Sequence, residues 1–202
     1  LLKFKTLNLT NAWVNTFLRT LPIFKMLKLK NKQTKYSVKV TGGSWGLCCN
    51  SIHYIDLVCW LTNSKVKKVS SDQLKTKWFE SKRKGYKEID GIISVEYYDN
   101  SILILECDKS EKELQIIVNC FNCNFVYNLI SGEYKLNNVK SKVKIPFQSQ
   151  MTSKIVKEVL LNNNSPLTKI DQSIELHIKY IQAVLNYWNY SFNINETKVP
   201  IT

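Results

Sequence analysis

Hydrophobic positions change period twice along the chain. Between residues 45 and 61 they cover most of a helical circumference, between 65 and 144 they alternate, and after 151 they recur at helical spacing. An all-round apolar helix is a buried one, alternation marks half-buried strands, and a single stripe marks a helix packed on one side. The pattern predicts strands over Val66 to Leu74, Ile92 to Tyr98, Ser101 to Cys107, Leu114 to Phe121, Asn124 to Ile130 and Tyr134 to Lys144. Asp99-Asn100 reads as a two-residue hairpin turn, and Ser131-Gly132 as a further turn. With no helical period between them, sequence neighbours should pair antiparallel in one sheet.

The flanks are helical. Met151 to Leu161 forms one helix, and the turn formers of Asn162 to Pro166 separate it from a last helix. That helix carries the stripe Ile170, Ile174, Ile178, Ile181, Leu185 and Trp188, and Thr168 with Asp171 resembles a capping box at its start. Upstream, a short helix-like stretch leads to Ala12-Trp13-Val14-Asn15, which suits a buried strand, and Pro22 suits the first turn of a helix over Ile23 to Leu29. Residues 35–41 read as a strand that Gly42-Gly43 breaks, with Ser44 placed to cap a helix from Trp45 to Leu61 that Asn63-Ser64 ends. The fold class this predicts is α+β: a mostly antiparallel open sheet with helices packed on one face.

Composition narrows the field. At 202 residues and 44% hydrophobic the chain can bury a core. No apolar run reaches the roughly 18–20 residues of a membrane span. The first residue is Leu1 and no secretion signal is legible, so the chain reads as internal to a longer one, or as a processed or split product. The net charge of +13 comes from 27 Lys and only 2 Arg on the basic side. Sequence-reading and phosphate-clamping surfaces favour the Arg fork. The abundance of Lys, Asn and Ile instead fits an AT-rich coding sequence, so nucleic acid is the less favoured partner. Six cysteines without a secretion signal suggest reduced thiols in the cytoplasm. Cys120 and Cys123 form a lone C-x-x-C with no second pair, and on a continuous strand they would face opposite sides, so no metal site is expected.

The informative segment is Gly42 to Leu57. On the helix it predicts, Cys49, His53, Asp56 and Trp60 fall in one stripe at spacings of four, three and four. His53 and Asp56 are thus neighbours on a mostly buried helix, where ionisable groups are costly unless paired or used. A His near its reference pKa of about 6.5 can pass protons at neutral pH. A core His satisfied by Asp56 or the backbone is the equal alternative.

A glycine pair followed by small residues and His-x-x-Asp-Leu, here Gly42-Gly43 through His53-Tyr54-Ile55-Asp56-Leu57, resembles the signature helix of Gfo/Idh/MocA oxidoreductases, most closely a subgroup reading W-G-L-x-C-N-x-I-H-x-I-D-L. Trp13 to Pro22 resembles that family's crossover out of its Rossmann domain, Glu88-Ile89-Asp90-Gly91 the start of its central strands, and Phe147 to Thr152 and Ser165 to His177 its final helices. The resemblance implies residues 1–20 as the end of a nucleotide-binding Rossmann domain and 21–202 as a substrate-binding and oligomerisation domain. It implies hydride transfer between NAD or NADP, bound mainly by a Rossmann half, and a sugar, cyclitol or nucleotide-sugar carbinol. His53 would be the general acid/base, Trp45 and Asn50 would line the substrate pocket, and Arg19 and Gln148 would lie near the cleft. A homo-oligomer formed through the open sheet face is also implied. Three departures accompany this. There is no G-x-G-x-x-G phosphate loop. The family's Glu-Lys-Pro segment, whose lysine assists catalysis there, would lie upstream of Leu1. Cys49 stands four residues before the His, where the family commonly has Asp, and a thiol of pKa about 8.5 cannot steady an imidazolium as a carboxylate does. The isolated chain is therefore expected to be inactive in hydride transfer. A non-catalytic remnant or sugar-binding subunit is the alternative from another class.

Overall fold

The computed structural model describes residues 6, 9, 11–30, 35–146 and 148–201, with the side chains of Lys30 and Gln148 outside the description. A short strand β1 (Trp13–Val14) and a 3-10 turn (Phe17–Thr20) lead into α1 (Pro22–Lys30), β2 (Ser37–Gly43) and the long helix α2 (Leu47–Thr62). Next come β3 (Val66–Leu74), the small hairpin of β4 (Phe79–Glu80) and β5 (Lys87–Glu88), and then β6 (Gly91–Tyr97) and β7 (Ile102–Asp108). β8 (Gln115–Cys120), β9 (Cys123–Asn128), β10 (Glu133–Leu136) and β11 (Val139–Lys142) complete the strand run. The chain closes with α3 (Gln148–Asn162), β12 (Thr168–Lys169) and α4 (Ile170–Phe192). The helix-like stretch expected before Ala12 lies almost wholly outside the described residues.

Eight strands form an open sheet in the order β11-β10-β9-β8-β2-β7-β6-β3. Every pairing is antiparallel except β2 with β7, which is parallel. The expectation of antiparallel sequence neighbours holds for the hairpins, whereas β2 arrives from outside the strand run and inserts at the centre. Its alternate residues Val38 and Val40 join Leu103, Leu105, Ile116 and Val118 in one buried face. Burying each such side chain is worth about 1.5–3 kcal/mol.

Helices α1, α2 and α4 cover that face. Phe24 of α1 meets Phe125 and Tyr127 edge-on, with ring centres 6.4 and 5.7 Å apart. α2 contributes Leu47, Ile55, Leu57 and Val58, all fully buried. α4 is pinned to both layers. Tyr180 donates its hydroxyl to the Cys48 carbonyl at 2.7 Å, Tyr187 donates to Leu74 O at 2.8 Å, and Ser71 donates to Ala183 O at 2.9 Å.

Several local expectations are corrected. Gly42-Gly43 does not break β2, because the strand runs through both residues and they pair with Cys107 and Asp108. The glycines serve close approach instead. A Cβ on Gly43 would lie 1.6 Å from the Ser110 carbonyl oxygen, and one on Gly42 2.8 Å from Leu114 Cα. Ser44 does not cap α2, whose preceding residue is Gly46 in the left-handed region with φ 78°. Thr168 does not cap α4 either, since Lys169 holds the cap position and the Thr168 hydroxyl is engaged elsewhere. Tyr134 to Lys144 is not one strand. Asn137 and Asn138 take φ of 46° and 74°, the pair of positive values a type I′ turn needs, and split it into a hairpin. On α4 the packed side is centred on Ser173, Leu176, Tyr180 and Val184, leaving Ile178 and Ile181 of the expected stripe on its flank. Cys120 and Cys123 are cross-strand partners flanking a two-residue turn, not residues on opposite sides of one strand. No cluster of three or more metal-ligating side chains occurs among the described residues.

Candidate functional site

The first turn of α2 is set by three features. Gly46 takes a conformation that L side chains rarely adopt. The backbone N–H groups of Cys48 and Cys49 donate to the two oxygens of Glu88, at 2.8 and 2.9 Å, so a buried carboxylate satisfies the helix start. Burial pushes the Glu88 carboxyl above its usual range, against the pull of these N–H groups. Asn50 donates its side-chain amide to Trp45 O at 2.6 Å, and Trp45 donates its indole N–H to Glu106 O at 2.8 Å. Trp45 also meets Tyr54 edge-on at 5.4 Å. These contacts fix one wall of a cavity of about 500 Å³, lined among others by Trp45, Cys49, Asn50, Arg83, Glu88 and Asp90.

His53 stands one helical turn beyond Cys49 and Asn50, on the same side of α2. Its ring is half-buried and meets Phe17 of the 3-10 turn at 6.2 Å, edge to face. The Nδ1 atom is buried and has no hydrogen-bond partner among the described residues. Burial lowers the imidazole pKa below 6.5, with nearby His177 lowering it further and Asp56 opposing. At neutral pH the ring is therefore uncharged and able to accept a proton.

Asp56 does not satisfy His53. Its carboxylate takes a bidentate pair from Arg19, Nε to Oδ2 at 2.9 Å and Nη2 to Oδ1 at 2.7 Å, plus the Thr168 hydroxyl at 2.5 Å. Thr168 in turn shares a 2.7 Å hydroxyl contact with Thr16. Asp56 and Arg19 are 1% and 9% exposed, so this is a buried pair that ties α2 to the 3-10 turn and to β12. Charges so buried persist only when fully hydrogen-bonded, as these are.

The five residues singled out from sequence thus separate. Trp45 and Asn50 share the larger cavity, Arg19 lines a second one of about 270 Å³ with Asp56 and Thr168, and His53 stands between them along α2. The Gln148 side chain lies outside the described residues. Sequence reasoning missed Glu88, Asp90 and Thr168 as site residues. Glu88-Ile89-Asp90-Gly91 had been legible only as the start of strands, and Thr168 only as a cap. The basic stretch from Lys65 to Lys87 is strand β3 and the small hairpin, and its Trp78 is engaged edge-on with Trp188 at 4.8 Å.

A nicotinamide dinucleotide needs a cradle of N–H groups for its phosphates. At α2 those N–H groups already face the Glu88 carboxylate, with Asp90 beside it, and this charge repels a diphosphate. The start of α2 does not fit the phosphates of such a group.

No family model matches the chain, and no curated protein matches it. Solved structures do. A dehydrogenase (MviM) from Clostridium difficile is 15% identical, with 87% of this chain and 61% of that chain covered and a TM-score of 0.59. UDP-N-acetylglucosamine 3-dehydrogenase GnnA from Acidithiobacillus ferrooxidans is 9% identical over 83% and 58%, at 0.60. The WlbA dehydrogenase from Bordetella pertussis, solved with NADH and UDP-GlcNAcA, is 13% identical over 94% and 63%, at 0.57. These neighbours are Gfo/Idh/MocA-type dehydrogenases, and the chain has the fold of that family's C-terminal domain. It spans about three fifths of the length of the structures it matches.

Proposed function

We propose that this chain is the substrate-binding and proton-transferring part of an NAD(P)-dependent oxidoreductase acting on a sugar, cyclitol or nucleotide-sugar. The observation that carries the reading is His53: a neutral imidazole with an unpartnered Nδ1, one turn from a cavity walled by Trp45 and Asn50. A tryptophan beside polar side chains is a surface on which a sugar ring can stack while its hydroxyls are bound. With Nδ1 buried, Nε2 is the nitrogen left to meet a substrate hydroxyl. As that carbinol is oxidised, His53 takes its proton, and in the reverse direction returns it. The proton is the part of the reaction these residues handle. The hydride acceptor is assigned to the Rossmann half, with 1–20 the end of that domain and 21–202 the substrate half. GnnA acts on a nucleotide-sugar and WlbA was solved with one, which favours that class. Arg19 serves through Asp56, holding α2 on the 3-10 turn, and Gln148 is assigned to the cleft by the family pattern alone. The six cysteines form no disulfide, and no described helix is long and apolar enough to cross a membrane, which suits the cytoplasmic reading.

Cys49 favours a second reading. It occupies the place one turn before His53 where a carboxylate would steady an imidazolium, and Asp56 is taken by Arg19. A His so placed suits hydrogen bonding to a sugar better than rapid proton transfer, as in a binding subunit. The chain has two histidines, which makes the test direct. Adding UDP-N-acetylglucosamine to the chain should shift the NMR ring signals of His53 and leave those of His177 in place. Unmoved His53 signals would remove both readings. NAD(P)H turnover by the chain alone would refute the assignment of the hydride acceptor to other residues.

A further inference from the structure

We infer that Asp90 is a specificity-determining residue of the cavity beside α2, accepting hydrogen bonds from hydroxyl groups of a polyhydroxylated ring. The inference rests on the proposal that this cavity binds the substrate. Asp90 follows β5 and precedes β6, and its backbone carbonyl accepts the Lys75 N–H at 2.8 Å, so its position is fixed by the strands on both sides. The residue is only 4% exposed. Yet its carboxylate has no hydrogen-bond or ion partner among the described residues, and it lines the cavity that Trp45 and Asn50 wall. Nearly every other buried acid is engaged. Asp56 is held by Arg19 and Thr168, and Glu88 by the N–H groups of α2.

The Asp90 carboxylate oxygens are not among the fully buried unpartnered atoms of the described residues, so they open onto the cavity, where a ligand can complete them. The missing partners must be donors, since an ionised carboxylate only accepts. Two classes of donor are available, a cation and a set of hydroxyls. The protein's own cations at this cavity, Lys82, Arg83 and Lys109, are exposed, and none of them pairs with Asp90. Trp45 lines the same cavity, and an aromatic residue and a carboxylate in one cavity point to hydroxyls, because a sugar offers an apolar face to an aromatic ring and hydroxyls at its edge. Adjacent hydroxyls match the two oxygens of one carboxylate. Glu88 next to it excludes a phosphate or carboxylate from this end of the cavity, so any acidic substituent of the ligand lies away from Asp90. A site built to bind hydroxyls rejects analogues that lack them far more strongly than an apolar pocket discriminates by size.

The test uses the whole chain, with UDP-N-acetylglucosamine and myo-inositol as probes, read by calorimetry and by saturation-transfer NMR. Asp90→Asn keeps the shape and halves the acceptor capacity. It should weaken binding of the preferred probe at least tenfold, and thermal melting should show that the fold is kept. It should also flatten the preference for the probe over its deoxy analogues, which a structural role would not do. Trp45→Ala serves as the control for the cavity. If Trp45→Ala abolishes binding while Asp90→Asn binds and discriminates as the unchanged chain does, the role of Asp90 is overturned and the cavity stands. If the unchanged chain binds neither probe, the cavity reading and the role of Asp90 fall together. If Asp90→Asn loses only the binding of a divalent cation, the donor is a metal and the inference is overturned.

Discussion

At His53 the ring is half-buried with its Nδ1 unpartnered among the described residues, and that placement has a consequence for stability. The folded chain holds the imidazole proton less tightly than the unfolded chain does, because burial outweighs the pull of Asp56 and His177 adds to the lowering. The unfolded chain therefore binds more protons in the window below about pH 6.5, and stability rises with pH across it. The contribution of a neutral His53 should be complete above that window and fall away as the pH drops through it. Denaturant unfolding of the chain and of His53→Asn between pH 5 and 8 measures this. The stability gap between them should narrow toward the acid side, and a gap independent of pH would count against the assignment. Arg19 makes the opposite case, a charge kept by its partner. Arg19→Ala leaves the Asp56 carboxylate buried with only the Thr168 hydroxyl, and removing one member of such a pair costs about 3–5 kcal/mol. Replacing Arg19 and Asp56 together with Met and Leu should recover most of that loss in a urea titration. The His53–Asp56 adjacency was legible because three-residue spacing on a helix dictates it. The partner of Asp56 was not, since Arg19 is 37 residues away and only the folded chain brings it there.

At the scale of elements, periodicity served well where burial repeats and poorly where a single contact decides. β3 over Val66–Leu74 and the end of α2 at Asn63 match the alternation and the turn formers that signal them. Gly42-Gly43 was misread because glycine has two uses, breaking a strand and admitting another backbone, and the sequence does not say which. The 108–114 segment settles it by crossing over both residues, with Gly43 N–H donating to Lys112 O at 2.9 Å. Gly43→Ala should therefore act as a steric change in a packed place. The Ser110 carbonyl cannot yield without moving the turn that Asp108 and Ser110 build, and a loss of about 3 kcal/mol is expected. Thermal melting should show it as a lowered midpoint, and an unchanged midpoint would mean that the crossing is looser than described. The α2 cap was missed for a related reason. A side chain 40 residues downstream, Glu88, does what Ser44 was expected to do locally.

Across the whole molecule, the sheet has one face under helices and another that is partly exposed. The rows that cross the sheet are set by register. Ser94, Ile104, Lys39, Ile117, Val126 and Lys135 stand side by side from β6 to β10. Ile104, Ile117 and Val126 are only partly buried, and Lys39 pairs with Glu106 at 2.6 Å among them. This face thus mixes partly buried aliphatic side chains with a cross-strand ion pair. A second copy of the chain is the occupant that the family resemblance implied for this face. The insertion of β2 between β8 and β7 is what brings Lys39 to the middle of the row, and this was the part of the topology that local pattern could not supply. Ile104→Lys with Ile117→Lys tests the assembly without touching the helix-covered side. Substitutions on a partly exposed sheet face cost about 0.5 kcal/mol of fold stability each. Light scattering behind a sizing column should therefore give a folded monomer for the variant and a dimer or larger species for the unchanged chain. The same dimeric or larger mass for both, at every loading concentration, would place the assembly on another surface. A monomer in both would overturn the self-assembly.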